Sequence, residues 1–283
     1  MPIITISRGC HSHGKEIAER VAQALGYECI SREVLLEASR FFHVSEKKLL
    51  HSIHDAFTLL ERITHDRNKY LAYIRAALLE HVKRDNVVYH GYAGHLLIPE
   101  IPHVLKVRVI AELEDRVALL GQRENLSREE AFAHIENEDK QRIAWTDYLY
   151  EKDVNDPHLY DLVLCIGRLK IEHASEIIVH AARLDAFQAT EESKKEINDL
   201  ALSSHVKAAL LEICDAEVIS DNGQVTIRAK TQKMRKTGYV RPKVERQIQE
   251  RMRYDLLKQI IQVTGQIPDV EGVSCDIDLP YYT

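Results

Sequence analysis

Short apolar runs alternate with longer stretches of helical period along the first two-thirds of the chain. Ile3-Ile4-Thr5-Ile6-Ser7 reads as a buried strand, and Ile17, Ala18, Val21, Ala22, Ala24 and Leu25 fall on one face of a helix that ends at Gly26. Tyr27 to Ile30 is a short apolar piece, and Ser31-Arg32-Glu33 opens a further helical pattern. Residues 45–85 carry no strand signal; they predict two helices, about 45–62 and 66–84, with Leu71, Ile74, Leu78 and Val82 on one face. Strands follow at 86–89, 104–110 and 162–166, separated by helices at about 112–124, 128–150 and 171–186. Ser127 ahead of Glu129 and Glu130 is a helix start, because the hydroxyl bonds N-terminal amides and the acids suit the dipole. Residues 151–158 read as a loop. This alternation predicts a parallel sheet covered by helices on both faces.

The pattern changes near residue 190. Residues 188–195 are polar and suit a linker, and a helix at about 196–213 follows. Ala216–Ser220 and Gln224–Ala229 alternate around Asn222-Gly223, the dipeptide that favours a two-residue hairpin turn. A helix at about 241–263 and a strand at about 273–279 complete an α-β-β-α-β unit. The chain of 283 residues is thus expected to form an α/β domain over 1–187 and a small α+β domain over 195–283.

Chemistry enters at Gly9-Cys10-His11-Ser12-His13-Gly14-Lys15, which fits G-x-x-x-x-G-K between a strand and a helix. In that setting loop amides and a helix N-terminus hold a polyphosphate, the glycines let the backbone curl, and Lys15 adds a positive charge for the β- and γ-phosphates. Glu16 stands where a serine or threonine usually ligates Mg²⁺. Cys10, His11 and His13 also form a possible metal triad, but no fourth ligand is visible, and no metal site is assigned. Cys10 alternatively reads as a reactive thiol whose pKa is lowered by Lys15 and the loop amides.

Composition narrows the class. Hydrophobic residues make up 45% of the chain and charged residues 29%, enough apolar surface for a packed core. A net charge of −6 argues against a wholly basic nucleic-acid binder. Five scattered cysteines without a C-x-x-C spacing exclude a disulfide framework or zinc ribbon. The N-terminus has no signal-peptide pattern, and no apolar run reaches the ~20 residues of a membrane span. A cytoplasmic protein is expected. One segment departs from the overall acidity: residues 228–258 hold eleven cations against three acids, a net of +8, which suits either a solvated face or an anionic ligand.

Residues 2–183 resemble the cytidylate-kinase-like family of P-loop proteins. The resemblance rests on Ile4-Thr5-Ile6-Ser7-Arg8-Gly9, Gly14-Lys15-Glu16-Ile17-Ala18, Ile30-Ser31-Arg32-Glu33, Asn86-Val87-Val88-Tyr89-His90-Gly91, Glu138-Asp139-Lys140-Gln141-Arg142 and Asp156-Pro157-His158-Leu159-Tyr160-Asp161-Leu162-Val163-Leu164, in that order. It implies a nucleoside monophosphate kinase fold that uses ATP and Mg²⁺, with residues 45–85 as a helical acceptor-binding insert and 127–157 as a mobile lid. Gly9, Cys10, His11, Ser12, His13, Gly14, Lys15 and Glu16 would hold the ATP phosphates. Arg32, Gly91 and Tyr92 would meet the acceptor, a small molecule bearing a phosphate or a hydroxyl. Lys140 and Arg142 would join Lys15 at the transferring group; both equally suit a solvated helix face paired with Glu136, Glu138 or Asp139. Trp145 reads as lid packing. The chain departs from the family where cytidylate kinases carry Gly-Arg-Asp: here the residues are Gly91-Tyr92-Ala93, after His90 rather than an acid.

Residues 196–283 resemble a BON-type domain through Ile197 to Leu211, the hairpin with Asn222-Gly223-Gln224-Val225-Thr226-Ile227, and Ile267-Pro268-Asp269-Val270-Glu271-Gly272-Val273. Such domains imply binding of a ligand, phospholipid or protein rather than catalysis. The sequence therefore points to a P-loop phosphotransferase with a regulatory or binding domain. A nucleotide sensor without turnover, or a basic adaptor on a P-loop scaffold, stays open beside it, as does the oligomeric state.

Overall fold

The computed structural model describes residues 2–31, 33–49, 66–91, 93–98, 101–230 and 242–278. Within them a five-stranded sheet is formed by β1 (Ile3–Arg8), β2 (Glu28–Ile30), β3 (Val87–Tyr89), β4 (Val104–Ala111) and β5 (Leu162–Ile166), in the order β2-β3-β1-β4-β5. Every pairing is parallel, with Ile4 opposite Val88 on one side of β1 and Leu105 on the other. Parallel neighbours require crossovers, and the helices that make them cover both faces. The faces alternate along β1. Ile4 and Ile6 pack with Ile17, Ala18 and Val21 of α1 (Gly14–Leu25) and with Ala174 and Ile178 of α7 (Ile171–Ala182), while Ile3 faces the opposite cluster. α1 ends where expected, at Gly26, whose positive φ of 70° lets its N–H reach Ala22 O.

The opposite face is covered by α2 (Glu33–Phe42) and α3 (Asp66–Val82). Leu71, Ile74, Leu78 and Val82 are buried, as the spacing requires, but so are Tyr73, Ala76, Ala77 and Leu79. A helix buried all round needs partners on more than one side. The extra partner is α8 (Glu191–Leu210), whose Ile197, Ala201 and Ala208 join the α3 cluster. The predicted helix over 45–62 falls largely outside the described residues.

Among the described residues the first unit has three further α-helices: α4 (Gly94–Leu97), α5 (Leu113–Glu124) and α6 (Arg128–Tyr150). Ser127 caps α6 in a reciprocal box: Glu130 N donates to Ser127 Oγ at 3.2 Å, and Ser127 N donates to the Glu130 carboxylate at 2.9 Å. α6 is fixed along its length. Ala131 and Ile135 pack with Val117, Leu120 and Cys10 near its start, and Trp145 packs with Leu71 and Ala93 near its end.

A second sheet, order β6-β7-β8, comprises the hairpin β6 (Asp215–Asp221) and β7 (Gln224–Lys230), turned at Asn222-Gly223, and β8 (Gly272–Ile277) parallel to β7. α9 (Pro242–Thr264) makes the crossover, giving the α-β-β-α-β order. Its core draws Leu202, Val206 and Leu210 from α8. Alternate faces of α8 therefore serve the two cores, and Glu212 bonds Lys69 and Tyr73 while Asp269 pairs with Lys83 across the same boundary.

The expected linker at 188–195 is shorter than its polarity suggested, because α8 starts at Glu191. Ser193 N donates to Thr190 Oγ1 at 3.1 Å and Thr190 N to Ser193 Oγ at 2.9 Å, so the polar residues are a helix cap. Thr190→Ala is expected to cost about 1 kcal/mol of stability, the usual value of a lost N-cap, measured by urea unfolding of the full chain.

Candidate functional site

The strand order reverses at β1, with β3 on one side and β4 on the other, and the loop after β1 opens at the carboxyl ends of the strands. That is where open α/β sheets bind ligands. Gly9 N donates to Val109 O at 3.1 Å, and the Ser12 hydroxyl bonds Gly9 O and Val109 O at 2.8 and 3.0 Å. The curl is carried by His11 and His13, with φ of 54° and 62°, and not by the two glycines as the sequence suggested. Gly14 has a packing role instead: a Cβ there would lie 2.7 Å from Arg8 Cβ. His13 stands at the N-cap of α1, and no side chain caps the helix. First-turn amides without a side-chain cap are the kind of donors that suit an external anion.

A cavity of about 760 Å³ lies over this loop, within the usual size of a small-molecule site. Arg8, Lys15, Arg123 and Arg142 line it as cations and Glu16, Glu19 and Glu138 as acids, while Ser31, Val34, Leu35, Ile74, Tyr89 and Gly91 extend it toward β3. Gly91 is fixed sterically, since a Cβ there would overlap the Tyr89 phenol. A second cavity of about 420 Å³ opens beyond the loop, between α5 and the start of α7. His11 and His13 line both.

The expected site residues divide. Cys10, His11, His13, Lys15, Glu16, Gly91 and Arg142 lie at the first cavity, and Gly9, Ser12 and Gly14 form the loop beneath it. Arg32 and Tyr92 lie outside the described residues. Lys15 is 64% exposed and reaches Glu19 at 3.6 Å. Arg142 donates to Arg8 O at 3.0 Å, whereas Lys140 is 69% exposed and pairs with Glu136 at 3.2 Å, on the solvent face of α6. Trp145 is buried. Arg8 and Arg123 escaped the sequence reading. Arg8 had a signal, being the residue before the first glycine, whereas Arg123 is brought in from α5 with no local motif.

Cys10 requires a correction. Arg116 donates to Cys10 Sγ at 2.8 Å and to Cys10 O at 2.7 Å, and forks onto both oxygens of Asp139 at 2.9 and 2.7 Å. Burial, then the charge of Asp139, pushes the thiol up to about 12 against the opposing pull of Arg116. The expected reactive thiolate is therefore a protonated, packed thiol. Iodoacetamide at pH 8 is expected to label exposed Cys165 at least tenfold faster than Cys10, read by peptide mass spectrometry.

The Cys10–His11–His13 triad is also not assembled, since Cys10 faces Arg116 and Asp139 while His13 pairs with Glu16 at 3.3 Å. For Mg²⁺, Asp139 is committed to Arg116, but Glu16 and Glu19 are oxygen donors at the loop of the kind this hard cation takes. His90 does not replace the missing acid: burial and the nearby Arg8 charge push it down to about 4, leaving a neutral imidazole.

A model described as the cytidylate kinase-like family matches residues 3–168, which leaves the C-terminal unit outside the match. No curated protein matches the chain. Among solved structures, an uncharacterized protein from Eubacterium ventriosum is 14% identical with a TM-score of 0.49, over 64% of this chain and 98% of that one. A shikimate kinase from Bacteroides thetaiotaomicron is 13% identical with a TM-score of 0.40, over 65% and 99%. A shikimate kinase from Acinetobacter baumannii in complex with shikimate is 11% identical with a TM-score of 0.40, over 64% and 92%.

Proposed function

The chain belongs to the cytidylate kinase-like family, and we propose that it transfers the γ-phosphoryl group of ATP to a small acceptor bearing a hydroxyl or a phosphate. The observation that carries this reading is an uncapped α1 N-terminus facing a cavity lined by four cations. Phosphoryl transfer asks a protein for positioning and charge neutralisation, and these residues supply both. The loop amides and Lys15 hold the β- and γ-phosphates. Arg142, Arg123 and Arg8 meet the negative charge that spreads over the transferring group. The acceptor occupies the part of the cavity lined by Ser31, Val34, Leu35 and Tyr89, and the second cavity beyond the loop takes the base. Glu16 and Glu19 would hold Mg²⁺ through its water shell, and the ion would supply neutralisation of the phosphate charge. Arg32 and Tyr92 are proposed as further acceptor contacts, and Lys140 as a cation that reaches the site only if α6 rotates.

Isothermal titration with Mg·ATP tests the nucleotide site. Saturable binding weakened at least tenfold by Lys15→Ala supports it, whereas binding of equal strength in the variant overturns it.

One observation favours a second reading, a nucleotide sensor without turnover. α8 packs into both cores, so a change at α3 is mechanically shared with the C-terminal unit. We read that unit, residues 195–283, as a BON-like regulatory or binding domain, with the basic 228–258 stretch as its anionic-ligand surface; residues 231–241 of that stretch lie outside the described residues. No helix among the described residues is long and apolar enough to cross a membrane. Five free cysteines suit a reducing, cytoplasmic setting.

A further inference from the structure

We propose that His11, His134 and Glu138 bind one transition-metal ion of the Zn²⁺ class, which ties the phosphate loop to helix α6. The three donors come from two elements far apart in sequence. His11 projects from the loop after β1, and His134 and Glu138 stand at i and i+4 on α6, one turn apart on the same face. One donor atom from each lies within 4.8 Å of the other two. His134 Nε2 and Glu138 Oε1 are already 3.4 Å apart. Ligands bonded at roughly 2.0–2.2 Å around a tetrahedral zinc sit about 3.3 Å from one another, so that pair is at ligand spacing. The His11 and His134 rings meet edge-on with centroids 6.3 Å apart, and ligation requires the His11 nitrogen to close from within 4.8 Å to ligand spacing.

Two imidazoles and a carboxylate are the donor set that zinc favours over Mg²⁺, which prefers oxygen alone. Three protein ligands leave a fourth position. His11 and Glu138 both line the first cavity, so that position is open to water or to an anion within it. The helix is held in register for this role by contacts that do not involve the ligands. Ile135 and Ala131 are fully buried against Leu120 and Val117, and Asp139 is forked by Arg116. Glu138 also stands 3.9 Å from Arg142, and ligation draws its carboxylate away from that weak pair. The ion fastens loop to helix at the cavity mouth, beside the Arg116–Asp139 pair. Metal binding by these three side chains is independent of phosphoryl transfer.

Co²⁺ is the probe, because tetrahedral nitrogen and oxygen ligation gives it intense visible absorption that its hydrated form lacks. The full-length chain, stripped with chelator, is expected to take up one Co²⁺ with these bands and to release it to one equivalent of Zn²⁺. His134→Ala and Glu138→Gln each change a partly exposed side chain, so both keep the wild-type melting temperature without metal and bind Co²⁺ at least thirtyfold more weakly. His158→Ala, at an exposed histidine paired with Asp156 elsewhere on the surface, binds like wild type. In hydrogen exchange, Zn²⁺ slows the amides of residues 9–13 and 130–138 in wild type but not in His134→Ala. Absence of the bands in wild type, or equal Co²⁺ affinity in His134→Ala and Glu138→Gln, overturns the site. Metal binding that leaves both amide segments unchanged overturns the fastening role.

Discussion

Lys15→Ala is expected to leave the melting temperature within about 1 °C of wild type and to lower kcat/KM for phosphoryl transfer by roughly 10³ or more, the scale set by charge-stabilising groups in phosphoryl transfer. The separation of the two effects follows from the geometry. The Lys15 ammonium is mostly exposed and pairs only loosely with Glu19, at 3.6 Å along its own helix. Exposed pairs of this kind contribute little to folding. Its value on the proposed function lies in lining the cavity beside the uncapped α1 N-terminus, where its charge would meet a polyphosphate. Lys15→Arg keeps the charge but changes its shape from a point to a planar fork, and a partial rescue of less than a hundredth of wild-type activity is expected. Equal activity in Lys15→Ala and wild type, by steady-state kinetics, removes the loop from the mechanism.

Arg116→Ala is expected to destabilise the chain by about 2–3 kcal/mol. Removing one member of a buried pair costs about 3–5 kcal/mol when the survivor is stranded. The lower figure applies because Asp139 stays 34% exposed and can recover water, while Arg116 itself is only 10% exposed. Arg116 makes four bonds, two to Cys10 and two to Asp139, and so joins the loop, α5 and α6 at one point. Arg116→Ala combined with Asp139→Asn should recover part of the loss, because the orphaned charge is then gone. Urea unfolding of the singles and the double gives the coupling directly. A loss below 0.5 kcal/mol in Arg116→Ala shows that the junction does not hold the loop.

These two residues also mark what the sequence could and could not say. Lys15 was legible because its signal is local: strand, glycine spacing and helix lie within some twenty residues. The Asn222-Gly223 turn and the Ser127 cap were legible for the same reason. Arg116 was not, since its partners lie 106 and 23 positions away and no motif joins them. Cys10 was misread in direction because sequence shows only near neighbours. Lys15 and the loop amides argue for a thiolate, but the burial and the Asp139 carboxylate that decide the matter arrive through α6. Lys140 and Arg142 illustrate a geometric limit. Two positions apart on a helix they point about 200° apart, so only one can face the loop, and periodicity alone could not choose. Thr190 to Ser193 read as linker because polar capping residues and polar linkers have the same composition. The burial of α3 all round likewise required knowing that α8 folds back on it.

Transfer by the cavity over the loop can be followed directly. The direct measurement follows labelled γ-phosphate from Mg·ATP to a panel of nucleosides, nucleoside monophosphates, and small sugar and carboxylic-acid alcohols, with the full-length chain. Acceptor-dependent, Mg²⁺-dependent transfer to one chemical class is expected, abolished in Lys15→Ala. A chain that binds Mg·ATP through Lys15 yet transfers label to none of these acceptors contradicts the kinase reading and leaves the nucleotide sensor in its place.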